Sequence, residues 1–411
     1  MAFPLPLDPS SIRANFPAFA EPSLEGQAFF ENAGGSYASQ QVLERLEHYW
    51  RATKVQPYGA YPTSIAAGQA MDLGYQRISE ALEIDNDWIH IGPSTSQNAY
   101  VLAIAFAQII KPGEAIVLTN QDHEANSGFW RRLSAKGIEV REWKIDPESG
   151  HLDPDDLVEL LDEKVRFVAF PHCSNIVGEI NPAARICRII HDAGALAIVD
   201  GVSAAPHGLP DLGEIDPDIY FFSAYKTYGP HLGVMAIRPS VAAALPNQGH
   251  HFNEHKARYR LTPAGPDHAQ IAALAGIADY LEALAEIAGD AIKGKTAFRR
   301  AHNAQRAQEI ALTAPLLDWL NARNDVRLIG PKTAKDRVPT ISLQLATPGF
   351  DMAQQLAKHS IMAGGGHFYG QRTLEGLGIN PEHGVLRLSF VHYTSSDEIE
   401  RLITALDACL A

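Results

Sequence analysis

The chain of 411 residues is 46% hydrophobic and 20% charged, a globular composition with enough length for a large core and a smaller one. Its formal net charge of −14, without any Lys- or Arg-rich run, excludes nucleic acid and anionic membrane surfaces as expected partners. No uninterrupted apolar run approaches the ~20 residues of a membrane helix.

The opening, MAFPLPLDPSSIRANFPAF, has neither a basic leader nor a long apolar core, so a cytoplasmic protein is expected. Cys173, Cys187 and Cys409 are odd in number and widely spaced, which fits reduced thiols and neither a disulfide framework nor a metal cluster. From residue 88 onward, β-rich apolar runs alternate with segments of helical period, the pattern of an α/β chain. The first strand is expected at 88–91. After it Gly92, Pro93, Ser94, Thr95 and Ser96 precede an apolar helix at 96–110. Unpaired amides and the dipole at a helix start favour an anion, so these hydroxyls form a candidate phosphate seat, with plain capping of the helix as the alternative. A strand at 115–119 leads into LTNQDHEANSGFWRRL, which holds His123, Asn126 and Trp130. Next come a strand at 139–145 and a helix at 154–161. The strand at 165–171 runs into FPHCSNIVGEINP, with Asn175 and Gly178 in its turn, and a helix follows at 182–193.

Strands at 196–199 and 219–222 are followed by Asp200 and by Lys226. In a parallel sheet both residues emerge at the carboxyl edge, where ligands bind. An amine that holds an aldehyde as a Schiff base and a carboxylate that keeps a pyridine nitrogen protonated are the two groups that pyridoxal 5'-phosphate chemistry requires. By spacing alone the pair is equally a surface Lys and a turn Asp. The stretch SAYKTYGPHLG, however, sets Ser223, Tyr225, Lys226, Tyr228, Gly229, His231 and Gly233 together with the density of a binding loop. A strand at 234–237 closes the series. Helices at 269–288 and 296–321 are expected to lead into a small α+β domain: strands at 326–329 and 340–344, a helix at 352–358, a glycine turn at 363–366, a strand at 385–393 and a final helix at 397–410. The expected division is a large domain over 25–285 with a mainly parallel seven-stranded sheet, and a small domain of 1–24 with 286–411.

In these loops the chain resembles the class V aminotransferase superfamily, a branch of the fold type I pyridoxal phosphate enzymes that includes cysteine desulfurases and selenocysteine lyases. SAYKTYGPHLG is similar to the family's S-x-H-K and G-P-x-G segments, with Tyr225 in place of the usual His. HEANSGFW is similar to H-x-A-N-x-x-P-W, and HCSNIVGEINP to H-x-S-N-x-x-G-x-x-x-P. The resemblance implies phosphate binding by Ser94, Thr95 and Ser96 with Ser223 and Tyr225, and stacking of His123 on the pyridine ring. It also implies Asn175 on the ring's phenolic oxygen, Asp200 on its nitrogen and Lys226 in Schiff-base linkage. Ser203 stands where the family often has Gln. A homodimer with shared active sites is further implied, in which Thr262 of RYRLTPAGPDH reaches the other subunit's phosphate, although Leu261 replaces the family's glycine. The implied substrate is an amino acid whose carboxylate meets Arg387 of GVLRLSFVHYTSSDEIERLITAL, with Asn32 and Gly34 of FFENAGGS at its entry. Tyr58, His207, His250 and His251 are further pocket candidates.

Desulfurases of the family carry a persulfide-forming Cys in a loop before the final strands, and the corresponding IMAGGGHFYGQRTLEGLGI has none. Cys173, at an apolar strand end, is expected to pack rather than react. The implied activity is a lyase of the β-elimination type, working through an external aldimine with Lys226 as acid and base at the α-carbon and with Asp200 and His123 as its catalytic partners. Amino transfer or epimerisation would share its first steps. A cofactor-binding descendant without turnover is the reading from a different class, and no metal is expected.

Overall fold

The computed structural model describes residues 5–263, 265–289 and 291–411, and its central feature is a seven-stranded sheet. Across the sheet the strands run Ile89–Gly92, Gly233–Ile237, Ile219–Ser223, Leu196–Asp200, Val165–Pro171, Ala115–Thr119 and Glu139–Trp143. Gly233–Ile237 lies antiparallel to both neighbours, and every other pairing is parallel. All seven expected strands form, with ends shifted by one or two residues. Successive side chains face opposite layers. Val117, Val168, Val199 and Phe222 pack into one layer, and Ile116, Leu118, Ile198 and Phe221 into the other. Burial on both faces is why these strands read as continuous apolar runs.

The helix Thr95–Phe106 lays Ala99, Leu102 and Phe106 on the second layer. Two helices with no counterpart in the sequence reading, Gln40–Ala52 and Pro62–Ala81, join the first layer through Val42, Tyr49, Met71, Tyr75 and Ile78. The single helix expected at 269–288 is instead two, His268–Ala273 and Ala275–Ile287. The Leu274 N–H bonds the Ile271 carbonyl three residues back, a tighter turn that separates them. That carbonyl abuts the neighbouring helix, where a Cβ on Gly74 would lie 2.1 Å from it.

A second sheet is wholly antiparallel, in the order Gly364–Gly366, Val385–Ser389, Thr340–Gln344 and Arg327–Leu328. Lys295–Asn321, Gly349–Ala357 and Ser396–Leu410 pack on it around Leu316, Ile341, Met352, Leu386, Leu388 and Leu402. The segment expected as a glycine turn is thus an edge strand. Its lack of side chains is what admits the neighbouring helix, since a Cβ on Gly365 would sit 2.1 Å from the Gly349 main chain. The strand expected to reach 393 ends at Ser389, and Phe390, Val391 and Tyr393 are buried beyond it without pairing. Near the start of the chain, Ala28–Phe29 pairs in parallel with Ile361–Met362, and Ala28 and Phe30 lie in the C-terminal core. Residues 31–36 are thereby carried onto the carboxyl edge of the large sheet, where Ser36 Oγ donates to the Lys226 carbonyl at 2.6 Å. Among the described residues, no helix is long and apolar enough to cross a membrane.

Candidate active site

The strand ends open into one cavity of about 520 Å³, part of it open to solvent. The helix start contributes Ser94, Thr95 and Ser96, and the loop after Thr119 contributes His123 and Ala125. Pro171, Cys173 and Asn175 line it from the next strand end, Asp200, Val202 and Ser203 from the one after, and Ser223, Tyr225 and Lys226 from the last. A smaller cavity of about 270 Å³ adjoins it, shared by Lys226, Val202 and Ser203 with Asn32, His207 and Ser389.

At one end the hydroxyls gather at the start of Thr95–Phe106. Ser94 Oγ caps the helix by accepting from the Gln97 N–H at 3.1 Å, so the capping alternative holds for its acceptor side. Thr95 Oγ1 and Ser223 Oγ lie 2.9 Å apart, which ties the helix start to the lysine strand. Gly233 makes this approach possible: a Cβ there would be 2.3 Å from the Ser94 and Thr95 main chain. The amides of this first turn have no helical acceptors, so the cradle suits an anion.

The same cavity holds the amine and the carboxylate. Asp200 Oδ1 accepts the Val202 N–H at 2.8 Å, and burial pushes its carboxyl up to about 6. Burial, aided by the Arg387 cation and opposed by Asp200 and Glu31, brings Lys226 down to about 8. His123 Nδ1 accepts the Ala125 N–H at 3.1 Å, which assigns the ring proton to Nε2. Burial and the Lys226 and Arg387 cations bring this imidazole down to about 3, so it is a neutral ring. Asn175 donates from Nδ2 to the Phe368 carbonyl at 2.9 Å, while its Oδ1 is buried without a partner. Anion cradle, neutral imidazole, amine and carboxylate in one cavity fit pyridoxal 5'-phosphate, and Asn175, which spends one Nδ2 hydrogen on Phe368, keeps the other as a donor for a ring oxygen.

Other expected residues lie further out. Arg387 is buried, not solvent-facing, and donates to Glu31 Oε1 at 2.8 Å. Asn32 is held by the Ser389 carbonyl at 3.3 Å and by the Tyr393 hydroxyl. Gly34 backs onto Glu31, its N–H bonding the Glu31 carbonyl at 2.9 Å. Thr262 does not line the cavity of its own chain. Tyr58, His250 and His251 are exposed and outside both cavities, whereas His207 is buried in a 3.0 Å pair with Glu309 beside the smaller one. Cys173 is buried on the wall, and burial pushes its thiol up to about 12. The sequence reading missed Glu31, Phe368, Tyr369 and Asp122. Arg387 Cζ stands 3.8 Å over the Phe368 ring, and Tyr369 lies 5.3 Å from the His123 ring. Asp122, beside His123, is buried with Oδ2 unpartnered, and burial together with the Asp200 charge pushes its carboxyl well up. The signals were present: an aromatic pair inside a glycine-rich stretch, and acids directly beside Asn32 and His123.

A mainly parallel α/β sheet presenting a buried Lys and a carboxylate in one cavity at its carboxyl edge defines a fold type I pyridoxal phosphate enzyme. The family model for class V aminotransferases matches residues 28–402, and the chain belongs to that family. The aminotransferase-like protein FGM3 of Gibberella zeae is 33% identical over 97% of this chain and 98% of its own length. A probable cysteine desulfurase of Pseudomonas aeruginosa is 27% identical over 98% of each. The fold is also that of the cysteine desulfurase CsdA of Escherichia coli, with a TM-score of 0.82 and 23% identity over 98% of both chains.

Proposed function

We propose that this chain is a lyase of the β-elimination type, cysteine desulfurase-like in its site but without a persulfide cysteine, acting on an amino acid with pyridoxal 5'-phosphate bound in the 520 Å³ cavity. When bound, the cofactor supplies an electron sink for the electrons left at the α-carbon. Ser94, Thr95, Ser96, Ser223 and Tyr225 hold its phosphate, His123 stacks on its ring, and Asn175 and Ser203 face its ring oxygen. Asp200 keeps the ring nitrogen protonated. Lys226, with a value near 8, would take the α-proton as the bond from the β-carbon to its substituent breaks, the bonding pair leaving with the substituent, and would pass that proton to the departing group. Arg387 receives the substrate carboxylate.

The observation that carries this reading is the loop over the site. Residues 363–370 bring Phe368 to Arg387 and Tyr369 to His123, where a sulfur carrier would stand, and contain no thiol. A homodimer with shared sites belongs to the same proposal, with Thr262 serving the partner's phosphate; mixing Lys226→Ala and Thr262→Ala subunits should then restore part of the activity each lacks alone. So do the division into large and small domains at 25–285 and a cytoplasmic location, which suits three free thiols.

The test is a screen of β-substituted and unsubstituted amino acids with cofactor-supplied protein, reading every product. Release of the β-substituent supports the lyase. A new keto acid with the intact side chain points to amino transfer, a D-isomer to epimerisation, and binding without product to a non-catalytic protein.

A further inference from the structure

Arg387 does not stand free at the mouth of the site. Nη2 donates to Glu31 Oε1 at 2.8 Å, Nη1 lies 3.4 Å from the Asn175 carbonyl oxygen, and Nε is buried without an acceptor. Phe368 stacks on the guanidinium plane and fixes its orientation. Glu31 is held less completely: Oε2 has no partner, and the side chain is 29% exposed against 4% for Arg387. Two glycines shape its seat. A Cβ on Gly364 would lie 2.2 Å from Oε2, and one on Gly34 would lie 3.1 Å from Oε1.

A carboxylate binds the guanidinium fork through two parallel N–H groups, and either parallel pair, Nε with Nη2 or Nη1 with Nη2, includes Nη2. Glu31 occupies one of the two N–H groups on that nitrogen and sets its own charge beside both pairs. A second carboxylate brought to it meets like charge in a buried site, where screening is weak.

Resting on the reading of Arg387 as the carboxylate receptor, we infer that Glu31 is an internal stand-in for the substrate carboxylate, released toward solvent when the substrate takes Nη2. Binding is then an exchange of one carboxylate for another on a guanidinium that stays put. Arg387 is never left as an unpaired buried cation, and an amine without a carboxylate cannot complete the exchange. Glu31 therefore sets specificity for carboxylate-bearing ligands without touching the reacting atoms.

Glu31→Gln tests this, because it keeps an acceptor for Nη2 and removes the charge. Affinities of cofactor-supplied protein for L-alanine and for ethylamine, which lacks the carboxylate, are read from the change in the visible spectrum. The variant should bind L-alanine roughly tenfold more tightly, about the worth of one charge-assisted hydrogen bond, and ethylamine about as before. In cofactor-free protein, propionate should raise the melting temperature of the variant more than that of the parent. Unchanged or weakened L-alanine binding, or equal tightening of both ligands, overturns the exchange. Arg387→Lys separates the two readings. If it weakens L-alanine no more than ethylamine, Arg387 is not the receptor and the underlying reading fails; if it discriminates and Glu31→Gln does not, the exchange alone fails.

Discussion

Burial at the cavity wall should make Lys226 lose its proton near pH 8 in place of the ordinary 10.5, with the Arg387 cation adding to the effect and Asp200 and Glu31 opposing it. At pH 7 an ordinary lysine is neutral in roughly one molecule in three thousand, and a lysine near 8 in roughly one in ten. Only the neutral amine captures an aldehyde, so the environment raises its reactive fraction about 300-fold. The measurement mixes cofactor-free protein with pyridoxal 5'-phosphate across pH 6 to 10, traps the adduct with borohydride and quantifies the Lys226 peptide by mass. The rate should rise with pH and level off near 8, and Arg387→Gln, which removes the contributing cation, should move the midpoint upward. A rate still climbing about tenfold per unit beyond pH 9 refutes the reasoning. Stability carries the matching sign. The unfolded chain binds this proton first, so the contribution of Lys226 falls as pH drops from 10.5 to about 8 and is level below that.

Asp200→Asn removes the anion proposed to pair with the ring nitrogen and should weaken cofactor retention about 10- to 100-fold by equilibrium dialysis; parent-like retention would place the nitrogen elsewhere. Cys173→Ala should leave turnover within about threefold, and iodoacetamide should not inhibit the parent, since a buried thiol pushed up to about 12 offers almost no thiolate. Gly365→Ala should cost about 1–3 kcal/mol in urea unfolding, because its Cβ would meet the Gly349 main chain at 2.1 Å. An unchanged midpoint would mean that the edge strand sits more loosely than the packing requires.

Most strands were legible because they are apolar on both faces, the charged edge strand Glu139–Trp143 being the exception, and the cofactor loops because the sheet delivers them to one edge. Lys226 and Asp200 follow strands that pair directly, so their meeting in space follows from parallel order alone. The helix Pro62–Ala81 escaped notice because its buried positions are small or polar as often as large and apolar, Ser64, Ala67, Gly68 and Gly74 among them, and Gln40–Ala52 because it buries only Val42 and Tyr49. Glu31 and Arg387 are 356 positions apart and joined by two different sheets, and nothing local marks one as the other's partner. Phe368 and Tyr369 adopt φ of 48° and 58°, a left-handed turn that their residue types disfavour and that distant partners sustain: ring packing on Arg387 and His123, and hydrogen bonds from Asn175 and the Glu124 N–H to their carbonyls.

What distinguishes the site chemically is that burial drives its ionisable groups toward their neutral forms: Asp200 upward, Lys226 and His123 downward. A structural ion pair would relieve this by bringing ammonium and carboxylate together, yet among the described residues Lys226 and Asp200 form no salt bridge although both line one cavity. Held apart, each group is left with a requirement the other does not meet, the amine for a carbon electrophile and the carboxylate for a cationic N–H. A ligand that meets both must be rigid and must place an aldehyde and a basic ring nitrogen at opposite positions, with an anion reaching the hydroxyls at the helix start. Lys226 and Asp200 lining one cavity without pairing is therefore an arrangement that suits a pyridoxal ring better than a simple aldehyde or a simple base.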